Sequence, residues 1–282
     1  MKLFFFPLLL ALLLVACNAS TAQDDTEATM QEMPEITANN HDELMDQMLG
    51  APNVHVETLG ILVYDGVNDL DLMGPRYVLG QLMGVQTQLV ALEPGNITTV
   101  MGTEIVPNTT IDAVDQLDIL VIPGGFRGTI EGAYDERLLD WIRMIDENTI
   151  YTASVCTGGW ILGATGLLEG RQATTNWYRA DEMMTKYGAT FVNERFTNDD
   201  KYWTSAGVTA GMDMSLAIMN EIWGESYTQG VMLDMEYDPA PPLVGGSPEK
   251  TSPEVYEMML AMYDMGAQPL IDSLDAVKAA RP

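Results

Sequence analysis

From Val56 onward, apolar runs of strand length alternate with stretches of helical period. "VETLGILVYDGV" (56–67) is a β-prone run closed by Asp65-Gly66, a strand entering a turn. In "DLDLMGPRYVLGQLMG", Leu70, Met73, Tyr77 and Leu79 form an imperfect apolar face, predicting a helix that opens near Asp71 with Pro75 in its early turns. "VQTQLVALE" (85–93) alternates as a second strand, and "TTVMGTEIVPNTTI" (98–111) reads as short strands around Gly102. "LDILVIPGG" (117–125) is almost wholly apolar, as a central parallel strand covered on both faces should be. "DERLLDWIRMIDENT" (135–149) is helical, with Leu138, Leu139, Ile142 and Ile145 on one side. "IYTASV" (150–155) is a further strand, and "GGWILGATGLLEG" a short helix behind it. "DEMMTKYGA" continues helical, "YWTSAG" returns as a strand, and "AGMDMSLAIMNEIWG" is another amphipathic helix. A final helix, roughly 252–266, carries several methionines, which read as core filler or a dimer surface rather than a cofactor site. Strands and helices alternate throughout, so the expected class is α/β, an open, mostly parallel sheet with helices on both faces.

The N-terminus changes this picture. Met1-Lys2, an apolar run from Leu3 to Ala16 and then Cys17 have the shape of a signal peptide, too short for a permanent spanning helix. Leu14-Val15-Ala16-Cys17 resembles the lipobox of bacterial lipoproteins, which implies lipidation of Cys17. With Asn18 next, the resemblance favours the periplasmic face of the outer membrane. Residues 17–52 are polar and acidic, with too little apolar surface to offset the entropy of ordering, and read as a tether. The division is therefore a signal peptide (1–16), a lipid-anchored tether (17–52), a catalytic domain (53–250) and a C-terminal helical extension (251–282) packing on the domain or on a dimer partner.

Charge excludes one class of partner. With 41 acidic residues against 13 basic, the formal net charge is -28, and no basic footprint exists for nucleic acid. Cysteine and histidine counts exclude others. If lipid occupies Cys17, the remaining cysteine, Cys156, has no disulfide partner within the mature chain. The two histidines, His41 and His55, both precede the first strand, which argues against a cysteine–histidine pair or a zinc site of the usual ligand set. No metal or other cofactor is expected.

Open α/β sheets carry their chemistry at the C-terminal ends of strands. Two of the most apolar strands end there in Pro123-Gly124-Gly125 and in Cys156-Thr157-Gly158. A cysteine at a sharp strand-to-helix turn projects upward, where free N–H groups and the helix dipole would stabilise its thiolate. Gly124 and Gly125 would admit a close backbone approach and aim an N–H at developing negative charge. The competing reading is a buried, inert cysteine at a tight junction. A proton carrier would come from Asp69 or Asp71, just past the first strand; their spacing leaves open which one points inward, where burial would raise its pKa.

The stretches "LVYDGVNDLDLMGP", "LDILVIPGG", "SVCTGGWILGATGLLEGRQATTNW", "AGVTAGMDMSLAI" and "MEYDPAPPLVGGSPE" together resemble the DJ-1/PfpI superfamily, and more closely its isonitrile hydratase branch. The resemblance spans roughly 58–250. It implies a flavodoxin-like sandwich, a homodimer and a small apolar isonitrile as substrate, hydrated to a formamide. It also implies Cys156 as nucleophile, Asp71 as its acidic partner, Thr157 as an assisting residue and the N–H groups of Gly125 and Thr157 as oxyanion donors. Gly124, Asn176, Trp160 and Trp177 would line the substrate pocket, though a plain core role for the two tryptophans is the stronger reading of composition alone. Related chains commonly read "ATTHW" where this one reads "ATTNW". Asn176 can orient a substrate or water but cannot act as a base near neutral pH. The alternative is a periplasmic relative that serves as a thiol sensor, a chaperone-like factor or an enzyme on another small electrophile.

Overall fold

The structure, a computed structural model, describes Thr37 and residues 50–279. The chain divides between Leu44 and Met45, and every described element belongs to the second unit. The expected signal peptide (1–16), the expected lipid site Cys17, and the expected tether (17–52) apart from Thr37 and its last three residues lie outside the described residues.

Five parallel strands carry the site: β1 (Thr58–Val63), β2 (Gln86–Ala91), β6 (Ile119–Ile122), β7 (Tyr151–Val155) and β11 (Tyr202–Ser205). The short β5 (Thr109–Thr110) extends one edge, and β10 (Phe196–Asp199) pairs antiparallel with β11 at the other, giving the order β10-β11-β7-β6-β1-β2-β5. Two small pairs lie apart, β3 (Ile97–Thr98) with β4 (Glu104–Ile105) and β8 (Gln172–Ala173) with β9 (Thr190–Phe191). All residues of β6 and β7 are buried, which accounts for their continuous apolar runs.

Helices cover both faces, making this the flavodoxin-like α/β sandwich. On the sheet, α1 (Asp69–Leu79) packs against α6 (Ala210–Trp223), while α2 (Arg127–Gly132), α3 (Glu136–Asp146) and α4 (Gly158–Ala164) pack together. The remaining helices are α5 (Ala180–Lys186), α7 (Glu225–Asp234) and α8 (Pro253–Ala279). Among the described residues, no helix is long and apolar enough to cross a membrane.

Several expectations need correction. In α1 the apolar face assigned from periodicity is mostly outward: Leu70, Met73 and Tyr77 are exposed, and the buried face carries Asp71, Leu72, Gly74, Pro75, Val78 and Leu79. A helix whose inward face holds a carboxylate misleads any reading by hydrophobicity. The last helix runs to Ala279 rather than ending near residue 266. Pro269 removes only its own N–H from the ladder, and the buried Ala267 and Ile271 hold the helix to the domain on either side of it. Met258, Met262 and Met265 of this helix are exposed, so they fill no core. Neither β10 nor α7 was expected. The first is a polar edge strand reached by a hairpin with Asp200 in the left-handed region, and the second buries only Tyr227 and Thr228.

Candidate active site

The C-terminal ends of β1, β6 and β7, three neighbours in the sheet, meet at one edge. After β1, Asn68 caps α1, its Oδ1 accepting from the N–H groups of Leu70 at 3.0 Å and Asp71 at 3.2 Å. The N–H of Asn68 donates to the carbonyl of Gly124 at 2.8 Å, which ties the start of α1 to the loop leaving β6. Asp71 is thereby held over Gly124. A Cβ on Gly124 would lie 2.7 Å from Asp71 Oδ2, 2.7 Å from Thr157 Oγ1 and 2.8 Å from Thr157 N. Only a residue without a side chain fits there. Gly124→Ala is expected to displace Asp71 and Thr157 and to cost about 1 to 3 kcal/mol of stability, read as a lower urea midpoint. An unchanged midpoint would show that the site is looser than this packing.

Cys156 follows β7 with φ 58, the left-handed region that costs a residue bearing a Cβ about 1 to 2 kcal/mol. Its neighbours hold it there. Its N–H donates to Ser205 O at 3.0 Å, continuing the β7–β11 pairing, and its carbonyl accepts from Gly159 N at 3.3 Å and Thr175 Oγ1 at 2.7 Å. Strain stored at a strand-to-helix turn is the mark of a nucleophile elbow.

The sulfur's surroundings are largely sealed. Cys156 is 6% exposed, Asp71 0%, Thr157 4% and Asn176 6%. Asn176 Nδ2 donates to the sulfur at 3.2 Å, while its Oδ1 accepts Tyr178 N–H at 3.0 Å, which orients the amide. Asn176 is therefore a donor to the sulfur. Burial pushes the Cys156 thiol well above its ordinary range, the charge of Asp71 adds to this, and the donors from Thr157 N–H and Asn176 offset only part. The thiolate stabilisation expected from the helix terminus is thus outweighed by desolvation. Asp71 is pushed up to about 7 by burial, with the nearby thiol and Gly124 N–H drawing it back only in part. Neither of its oxygens makes a hydrogen bond of ordinary geometry, an expensive arrangement for a buried carboxyl. Thiol and carboxyl face each other closely enough for each to shift the other's titration.

Asp69 points away from this centre. It accepts from Thr99 Oγ1 at 2.8 Å, Thr103 Oγ1 at 2.7 Å and Met101 N at 3.2 Å, fastening the β3–β4 turn. Slight burial raises its pKa, but those bonds outweigh it and the net shift is downward.

Thr157 Oγ1 donates to the carbonyl of Gly125 at 2.8 Å and accepts the Gly125 N–H at 3.1 Å. The amide expected to face an oxyanion is thus already engaged by the hydroxyl. Trp160 is buried beneath Tyr178, with ring centroids 6.3 Å apart. Trp177 is half-buried and packs against Tyr256 and Tyr263 of α8. Sequence reasoning missed Asn68, Thr175, Phe126 and Tyr263. The Asn before a helical pattern is a readable cap signal; nothing local marks the other three. Among the described residues, no cluster of three or more His, Cys, Asp or Glu side chains could hold a metal ion.

The model of the DJ-1/PfpI family matches residues 58–221. The chain is 40% identical over 191 residues to the isonitrile hydratase of Pseudomonas putida, covering 68% of this chain and 83% of that protein. It superposes on a ThiJ/PfpI family protein from Pseudomonas syringae with a TM-score of 0.75 and 32% identity, over 87% of this chain and 98% of the other. Drosophila melanogaster DJ-1beta shares the fold, with a TM-score of 0.59 and 19% identity over 64% of this chain and 98% of its own. Since the match runs from the first residue of β1 into the last turn of α6, and through the Cys156 elbow, the chain belongs to the DJ-1/PfpI family.

Proposed function

We propose that the protein is a cysteine-dependent hydratase, needing no cofactor, that adds water to an isonitrile, R–N≡C, to give the N-substituted formamide. The observation that carries this reading is a strained, buried Cys156 facing a buried carboxyl whose pKa is near neutral, with no imidazole at hand among the described residues. The likeness to an isonitrile hydratase gives the substrate class.

The thiol is protonated at rest, so attack needs a base. Ionised Asp71 takes the proton as the sulfur bonds to the terminal carbon, and returns it to that carbon, leaving the S-bound thioimidate R–N=CH–S–Cys156. Asp71 then draws a proton from water as its oxygen adds to the same carbon, and the nitrogen is protonated. Collapse of the tetrahedral adduct breaks the C–S bond, restores the thiol and releases R–NH–CHO. Water and isonitrile are consumed one for one. Thr157 N–H and the Asn176 amide stabilise the sulfur as it gains charge. Gly125 N–H joins them if the Thr157 hydroxyl turns toward water. Gly124 lets Asp71 and Thr157 close in beside the reacting atoms, and Trp160 and Trp177 bound the R group. Formamide production from a simple alkyl isonitrile by the purified protein tests this directly; no turnover would overturn it. A redox-sensor role has less support, because sensor cysteines are accessible and of low pKa, and Cys156 is neither.

We also propose export, lipidation at Cys17 and a homodimer held to the periplasmic face of the outer membrane. Residues 1–17 support the first two. The exposed stripes Leu70/Met73/Tyr77 and Met258/Met262/Met265 support the third. Native mass spectrometry of membrane-extracted protein should give a dimer whose chains begin at a lipid-modified Cys17. A monomer with an unmodified N-terminus would overturn this.

A further inference from the structure

The reacting groups are nearly inaccessible, so some element must yield before a substrate can reach Cys156. The residues next to the site identify it. Phe126 directly follows Gly125, and Trp177 and Tyr178 directly follow Asn176. All three close on one side chain of α8: Tyr263 lies 5.7 Å from Phe126, 5.0 Å from Trp177 and 5.1 Å from Tyr178, ring centroid to centroid. Its phenol is raised in pKa by burial and then by the charges of Cys156 and Asp71, which puts it within electrostatic reach of both. Gly266, one turn on, lets α8 come down on Phe126; a Cβ there would lie 2.7 Å from the tip of that ring.

Beyond that cluster the helix rests on a thin apolar face, the partly buried Leu260, Leu270 and Leu274. Of its 27 residues only Ala267 and Ile271 are buried, and the segment 238–246 leading into it is exposed throughout. Two of its carboxylates fasten it. Asp264 accepts from Tyr178 Oη at 2.7 Å and from Arg179 Nη2 at 2.9 Å, and Asp275 accepts from Tyr134 Oη at 2.5 Å and Lys186 Nζ at 3.0 Å. An element with few buried contacts and exposed ion pairs opens at low cost.

We propose that α8 is a lid over Cys156, latched by Asp264 to Tyr178 and Arg179, and that Tyr263 is the residue that limits the R group to a compact one. The identity of the substrate, though not the lid, rests on the hydratase reading above. Opening at the latch admits the substrate; closure returns the Tyr263 ring to Phe126, Trp177 and Tyr178, where it excludes bulk water and narrows the space for the R group.

Two measurements on the full-length chain separate the two ideas. The first is the rate of Cys156 alkylation, read by peptide mass mapping, with iodoacetamide and with a bulky fluorescein maleimide. Tyr263→Ala should speed the bulky reagent by about ten-fold or more, and Asp264→Asn should speed both reagents, because each shifts the closed–open balance. Val277→Ala, an exposed position in the last turn of the same helix and outside the methionine stripe, should label like the parent. Parental rates in both Tyr263→Ala and Asp264→Asn would overturn the lid. The second is kcat/KM for methyl and cyclohexyl isonitrile. Tyr263→Ala should raise the cyclohexyl-to-methyl ratio by about ten-fold, the effect expected of a few methylene groups in a pocket. An unchanged ratio would overturn selection by Tyr263. If the parent hydrates neither compound, the hydratase reading fails and the alkylation rates alone decide the lid.

Discussion

Replacing Cys156 with alanine is expected to lower formamide formation from an alkyl isonitrile by about four orders of magnitude or more, because no other side chain at the site can form the covalent adduct. Asn176 and Thr157 surround the sulfur, and neither carries a comparable nucleophile. The fold should survive, since alanine removes one small atom from a packed corner. Strain at the elbow gives a second signature. Cys156 holds φ 58, where alanine pays the same steric penalty and glycine pays none. Cys156→Gly should therefore unfold at a urea concentration at least as high as Cys156→Ala, the relief of about 1 kcal/mol offsetting glycine's entropy. Product detection by mass spectrometry and paired urea titrations check both points. Undiminished turnover in the alanine variant would end the nucleophile assignment.

Asp71→Asn should weaken turnover by about 100- to 10,000-fold while making the folded state more stable at neutral pH. Its carboxyl is ordinarily half-ionised at pH 3.8 but is held at about 7 by burial in the fold. Below the lower value both states are protonated and folding carries no penalty from this group. Between the two, the unfolded chain has released a proton that the folded chain keeps, so stability falls as pH rises and levels off above about 7. Asparagine cannot ionise, and the variant lacks that fall. At pH 8 it should exceed the parent by an amount on the order of a few kcal/mol. Activity runs the other way: kcat/KM of the parent should rise with pH through about 7, as the carboxylate able to accept the thiol proton appears, and the variant should lack this limb. Urea unfolding of both proteins from pH 4 to 8 isolates the group, since every other carboxylate is common to the two. Identical pH slopes would show that Asp71 titrates normally. Stability gained on removing a group that activity needs is the pattern expected of a functional residue.

Much of the scaffold was legible because its signals are local. The unbroken apolar runs that became β6 and β7 announce burial on both faces, and the Gly-Gly and Cys-Thr-Gly ends placed the chemistry at one sheet edge. The misreading of α1 was equally local in origin. Periodicity ranks residues by hydrophobicity, so it sent Leu70, Met73 and Tyr77 inward, whereas the packing against α6 buries the face that holds Asp71. β10 and α7 escaped notice because one is too polar for a strand signal and the other has no strong apolar face.

By itself, then, the amino-acid order determined the α/β class, the strand ends where reaction is possible, and the bare inventory of one body cysteine and no neighbouring histidine. Composition and short-range pattern suffice for those, since each depends on residues adjacent in the chain. Tertiary structure alone decided that Asp71 and not Asp69 meets the sulfur, that burial raises the Asp71 carboxyl and the Cys156 thiol, and that Tyr263, over a hundred positions further along, packs on the rings of Trp177 and Tyr178 beside them. Desolvation and ring packing are set by whichever groups folding brings within a few ångströms, and sequence spacing carries no record of that distance.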